Sequence, residues 1–174
     1  MRHIVTSIVV AAMAVLSGCS STGSLGNEAK QEVKAAQYKN IMTLLESGTY
    51  IYTARSAQSS GGKNIQLNTN VYSLDFKDHY VKADLPFYGR GYTSHYSNDP
   101  GIKFEGEPVD LKISGNEKKY QITVQFRITK VNDSFDITMN ISSSGYGNLT
   151  VLSRNRQSIS YYGYVTEMPE DYTF

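Results

Sequence analysis

Charge asymmetry is missing from this chain, and so are most of the side chains that carry chemistry. Seventeen Lys and Arg face sixteen Asp and Glu in 174 residues. A balance that close leaves no electrostatic footprint for nucleic acid, so no nucleic-acid partner is expected. There are three histidines, one cysteine and no tryptophan. A zinc site ordinarily takes three or four His, Cys or carboxylate ligands. His79 and His95 have no ligand spacing, so no metal site is expected. A Ser-His-Asp triad needs nucleophile, base and orienter together, and no nucleophile-elbow motif is present. Gly89-Arg90-Gly91-Tyr92 lacks the third glycine and the strand-to-helix setting of a phosphate loop. Asp133, Asp136, Glu167, Glu170 and Asp171 are available for acid–base work, but their spacing selects no pair. No cofactor and no catalytic residue is expected.

The lone cysteine is Cys19, and its surroundings give it a role. Met1-Arg2-His3 opens the chain, and Ile4 to Leu16 carries no charge, which is the secretory pattern. That run is 13 residues, and a membrane-spanning helix needs about 20. It closes on Leu16-Ser17-Gly18-Cys19, which resembles the bacterial lipobox. Residues 1–18 are therefore read as a lipoprotein signal peptide, with Cys19 as the lipidated first residue of the mature chain. Lipidation uses the only thiol and leaves none for a disulfide. Two or more acyl chains, palmitate among them, give a stable membrane anchor where one would be marginal. Residues 19–26 form a Gly/Ser-rich tether, whose seven residues after the cysteine reach roughly 15 Å. By resemblance to lipoprotein sorting rules, Ser20 in place of Asp argues against inner-membrane retention. The expected location is the outer membrane, facing the periplasm, with the cell surface as the alternative.

Residues 27–174 are read as one β-rich domain with an N-terminal helix. Ala29, Val33, Ala36, Ile41, Leu44 and Leu45 fall near one face at helical spacing over Asn27 to Glu46. Asn27 is placed to cap this helix and Gly48 to stop it. From Thr49 onward the period is two. Tyr120, Ile122, Val124, Phe126 and Ile128 alternate with polar residues, as do Phe135, Ile137, Met139 and Ile141 across a short connection. Shorter strands follow at Tyr50 to Ala57, Tyr72 to Phe76, Tyr80 to Leu85, Val109 to Ile113, Gly147 to Ser153 and Ser158 to Val165. The predicted fold is mainly β, an antiparallel meander of about eight strands curling into an open or closed lipocalin-like barrel. A two-sheet sandwich is the alternative.

The longest irregular piece, Pro86 to Gly101, gathers Tyr88, Arg90, Tyr92, His95 and Tyr96. Tyr and Arg bring contact area and hydrogen bonds together, which suits recognition. Tyr161 and Tyr162 extend this candidate ligand or partner contact from a neighbouring strand. Packing of the same rings at a barrel end is the competing account.

Five segments carry a family resemblance: Leu44 to Tyr50, Leu85 to Arg90, Gly101 to Phe104, Ser144-Gly145 and Ser158 to Gly163. The chain resembles the domain-of-unknown-function 4251 family of Bacteroidetes lipoproteins over roughly Lys39 to Val165. The resemblance implies a small, mostly β lipoprotein domain and brings no catalytic residue. The functional expectation is a non-enzymatic binding or structural module of the cell envelope, holding an apolar or glycan-like small ligand or an envelope protein. The alternative is a periplasmic hydrolase or glycan-processing enzyme using carboxylates near the Tyr/Arg loop.

Overall fold

The computed structural model describes residues 22–92, 101–131 and 133–173. The chain separates into two units, Met1–Glu32 and Val33–Phe174. Of the first, the described part opens helix α1 (Thr22–Glu46), and residues 26–32 are all exposed. The helix begins before Asn27 and takes in residues 22–26 of the segment read as a tether. No helix among the described residues is long and apolar enough to cross a membrane.

In the second unit the helix packs through Tyr38, Ile41, Met42 and Leu45. This is an i, i+3, i+4, i+7 stripe. Val33 and Ala36 of the expected stripe are exposed instead. The ring of Tyr38 sits edge-on to Tyr120 at 6.1 Å and lies over Gly115, where a Cβ would collide with its hydroxyl. The helix ends as expected, with Gly48 at a φ of 69°.

Ten antiparallel strands follow: β1 (Tyr50–Ser59), β2 (Asn64–Gln66), β3 (Tyr72–Lys77), β4 (Tyr80–Leu85), β5 (Ile102–Gly106), β6 (Val109–Asn116), β7 (Gln121–Thr129), β8 (Ser134–Ser142), β9 (Tyr146–Ser153) and β10 (Ile159–Glu167). They form one sheet in the order β5-β4-β3-β1-β10-β9-β8-β7-β6, with β2 beside the second half of β1. The first long strand pairs with the last, so the meander is continuous across β1 and β10. Its two edges are β5 and β6. The result is a curled half-barrel, open at that seam. The sequence reading stands on class, direction of pairing and curvature. It lacked β2 and β5, which are short and flank irregular segments.

The inward face of the curl is filled. Tyr52, Leu74, Val81, Leu85, Ile122, Val124, Met139, Ile141, Leu149 and Tyr161 are all fully buried there. Rings meet across the interior: Phe76 lies edge-on to Phe126 at 5.1 Å, and Phe104 stacks on Phe135 at 5.0 Å. These contacts join β3 to β7 and β5 to β8, strands far apart in the sheet order, so the core closes what the hydrogen bonds leave open. Small barrels are commonly packed solid in this way.

Candidate functional site

The Tyr/Arg loop divides into a buried plug and an exposed rim. Leu85, Pro86 and Phe87 are buried at the end of β4. The Tyr161 hydroxyl, itself buried, donates to the Pro86 carbonyl at 2.8 Å. Tyr161 is therefore a packing residue that fixes the plug, and the expectation that it contacts a ligand is corrected. Phe87 folds over Gly89, where a Cβ would stand 2.6 Å from the ring. Arg156 lies over the other aspect of this plug, 5.5 Å from the Phe87 centroid, and donates to the Gly101 carbonyl.

Beyond the plug, residues 90–92 run antiparallel to residues 155–157. Gln157 N–H donates to the Arg90 carbonyl at 3.0 Å, and Tyr92 N–H to the Asn155 carbonyl at 2.7 Å. The Arg90 N–H is taken by the Gln157 side chain at 3.1 Å. The side chains of Tyr88, Arg90 and Tyr92 stay exposed. Tyr88 borders an open depression of about 330 Å³ with Asn70, Tyr72, Asp84 and Lys103, and partial burial with Tyr72 nearby pushes its phenol pKa up. Arg90 and Tyr92 do not line it. Among the described loop residues, Tyr88, Arg90 and Tyr92 thus do not all line this depression. His95 and Tyr96 lie outside the described residues, as do Cys19 and the signal peptide.

The carboxylates are dispersed: Glu167, Glu170 and Asp171 are exposed, and others are engaged in local contacts. Asp84 pairs with Lys103 at 3.7 Å, and Asp136 accepts from Arg127 at 2.6 Å. Asp133 accepts the Ser153 hydroxyl and the Ser134 N–H. Among the described residues no three His, Cys, Asp or Glu side chains gather to hold a metal ion.

Tyr162 belongs to a different surface. It follows Tyr161 on β10, so its side chain points to the outer face of the sheet while Tyr161 points in. There the register sets Thr123, Asn140, Asn148 and Tyr162 side by side across four strands. The neighbouring row is Gln125, Thr138, Thr150 and Ser160. Tyr146 stacks against Tyr162, with centroids 6.1 Å apart and planes 24° apart, and touches Tyr164 at 5.4 Å. Tyr164 is braced from below by Arg55, whose guanidinium lies 5.3 Å from its ring.

Between these rings and the edge of β7 lies a shallow depression of about 400 Å³, lined by Gln121, Asn140, Ser142, Ser144, Tyr146, Asn148 and Tyr162. Thr123 donates to the Asn140 carbonyl oxygen at 2.9 Å, which turns the Asn140 amide NH₂ outward. The side-chain amides of Gln121 and Asn148 bond nothing among the described residues, although other polar groups here do pair: Ser142 bonds the Tyr146 carbonyl at 2.7 Å. The sequence reading named Tyr162 but missed Tyr146, Gln121, Asn140 and Asn148. The signal was present in the alternation of Tyr146, Asn148 and Thr150 about the Ser144-Gly145 turn, which sets Asn148 opposite Asn140.

The comparisons with known proteins agree with this architecture. No curated protein matches the sequence. A crystal structure of a DUF4251 family protein from Bacteroides eggerthii superposes with a TM-score of 0.61 at 16% identity, covering 79% of this chain and 91% of that one. At that identity the likeness is one of fold. The family model described as domain of unknown function (DUF4251) matches residues 32–165, which takes in the helix end and every strand from β1 into β10. The chain belongs to the DUF4251 family.

Proposed function

We propose that this protein is a non-enzymatic binding module of the cell envelope, held by lipid on Cys19 at the periplasmic face of the outer membrane. The anchor rests on the lipobox, Leu16 to Cys19, behind a short apolar run. The binding role rests on one observation: a stacked, half-exposed tyrosine pair, Tyr146 and Tyr162, stands beside the side-chain amides of Gln121 and Asn148, which have no partner among the described residues. Exposed rings and amides with unmet hydrogen bonds are what recognition surfaces offer. Ligands are met on the outside of the curl, since its interior is occupied by side chains.

Metabolic labelling with a palmitate analogue, followed by membrane fractionation, tests the anchor. Wild-type protein is expected to take label and sediment with outer membranes. Cys19→Ala is expected to lose the label and release a folded β-domain. Full retention of the unlabelled variant on membranes would sink the proposal.

A further inference from the structure

The outer-face depression is selective in its chemistry. Its lining has rings, amides and hydroxyls and no carboxylate, ammonium or guanidinium. The neutrality extends along the sheet: Gln121 to Gln125 on β7, Thr138 to Ser142 on β8, Tyr146 to Thr150 on β9 and Ser160 to Tyr164 on β10 present no charge outward. Farther along these strands Arg127 and Asp136 neutralise each other at 2.6 Å, and on neighbouring β1 the Arg55 guanidinium is engaged with Tyr164, 5.3 Å from that ring. Within the lining of the depression an anionic or cationic ligand would find no counter-charge. An apolar ligand would find no aliphatic lining, and a protein hot spot would find a shallow, open depression rather than a closed pocket that desolvates it.

We infer that this face binds a neutral oligosaccharide across Tyr146, Tyr162, Asn140, Asn148 and Gln121. A pyranose ring has an apolar C–H face and a rim of hydroxyls that each donate and accept. Tyr146 and Tyr162, 46% and 49% exposed, supply flat apolar area with a polar end. Primary amides carry donors and an acceptor on one plane and so match vicinal hydroxyls. Here one amide is oriented by Thr123 and two have no partner among the described residues. The row from Thr123 to Tyr162 crosses three inter-strand spacings, about 14 Å, which accommodates a chain of sugars rather than a single ring. The depression, about 400 Å³ and open to solvent, falls within the size of ordinary ligand sites.

This inference rests on the binding-module proposal and narrows it to a ligand class. The test uses the full-length chain in a polyoxyethylene detergent, because a sugar-headed detergent would compete. Neutral hexasaccharides of glucose, mannose, xylose, galactose and N-acetylglucosamine are added at about 10 mM, enough to saturate a site of about 1 mM affinity. Hexagalacturonate and a random peptide library form the other arms. At least one neutral hexasaccharide is expected to shift the NMR signals of Tyr146, Tyr162, Asn140 and Asn148. Tyr162→Ala and Asn148→Ala are expected to weaken that binding by about tenfold or more. Binding of peptides alone, lost in Tyr162→Ala, would overturn the sugar assignment and leave the binding module standing. Preference for hexagalacturonate would overturn the argument from neutrality. Silence in every arm overturns the sugar site and removes the support for binding, while leaving the lipid anchor to its own labelling experiment.

Discussion

Tyr172, in the chain that follows β10, donates its hydroxyl to the carboxylate of Asp75 on β3 at 2.6 Å. Asp75 points to the outer face of the sheet, between Ile51 and Lys82, yet is only 4% exposed. Its second oxygen has no partner among the described residues. Burial, the hydrogen bond to Asp75 and the Asp75 charge together push the Tyr172 phenol from 10.0 up to about 12. The folded state therefore holds this proton more tightly than the unfolded chain does. The contribution of the contact is complete below pH 10 and is lost as pH rises through about 12. A phenolate absorbance titration is expected to show one tyrosine ionising near pH 12 that Tyr172→Phe removes. The same variant leaves a buried carboxylate unpartnered, at a cost of about 1–3 kcal/mol, and should expose the tail to proteases.

Two buried tyrosines of β1 should respond oppositely to loss of their hydroxyls. Tyr52 donates between the carbonyls of Gly147 and Tyr161, at 3.1 and 3.0 Å. Tyr50 is stacked on Phe76 at 4.6 Å, and its hydroxyl is buried with no partner among the described residues. Burial pushes both phenols well above their ordinary range. Tyr52→Phe is expected to lose about 1 kcal/mol, and Tyr50→Phe to gain a similar amount by removing an unpaired polar group. Urea midpoints decide it; destabilisation by Tyr50→Phe would mean that its hydroxyl is satisfied in solution.

The β7–β8 hairpin was legible because one face is core and the other solvent, and nine consecutive register pairs keep that division from Gln121 to Thr129. Strand β5 was not, since only Ile102 and Phe104 alternate before Gly106. The helix was misjudged in its stripe: Ala29, Val33 and Ala36 have the right spacing, but Tyr38 and Met42 are what reach the sheet. Tyr161 and Tyr162 look equivalent in sequence, and only the strand's alternation separates a core residue from a surface one. The aromatic loop was read as one cluster because its members are near in sequence, whereas residues 90–92 pair with 155–157 and only Tyr88 of the described loop residues Tyr88, Arg90 and Tyr92 borders the depression.

Gly147 and Gly163 face each other on β9 and β10, both buried on the inward side of the sheet. A Cβ at Gly147 would collide with the Asn140 carbonyl oxygen, and one at Gly163 with that of Thr53. Backbone cannot yield as a side-chain tip can. Either Gly→Ala substitution is expected to cost about 1–3 kcal/mol or more, as overpacking does. Thermal unfolding measures it, and a neutral result at both positions would show that the neighbouring backbones stand farther from these glycines.

The tyrosine pair on the outer face offers a test of preorganisation that does not depend on knowing the ligand. Offset-stacked rings couple by about 0.5–1.5 kcal/mol beyond the area they bury. Tyr146 and Tyr162 are each half-exposed, so neither ring is needed to complete the core. Tyr146→Leu and Tyr162→Leu are each expected to cost about 1 kcal/mol, with the double variant costing less than their sum by the coupling energy. The same cycle on Tyr88 and Tyr162, which line separate depressions, should be additive within about 0.5 kcal/mol. Coupling between Tyr88 and Tyr162 would join the two surfaces into one site. Its absence, alongside coupling of Tyr146 with Tyr162, leaves the outer face with a rigid pair of rings already set in place before any ligand arrives.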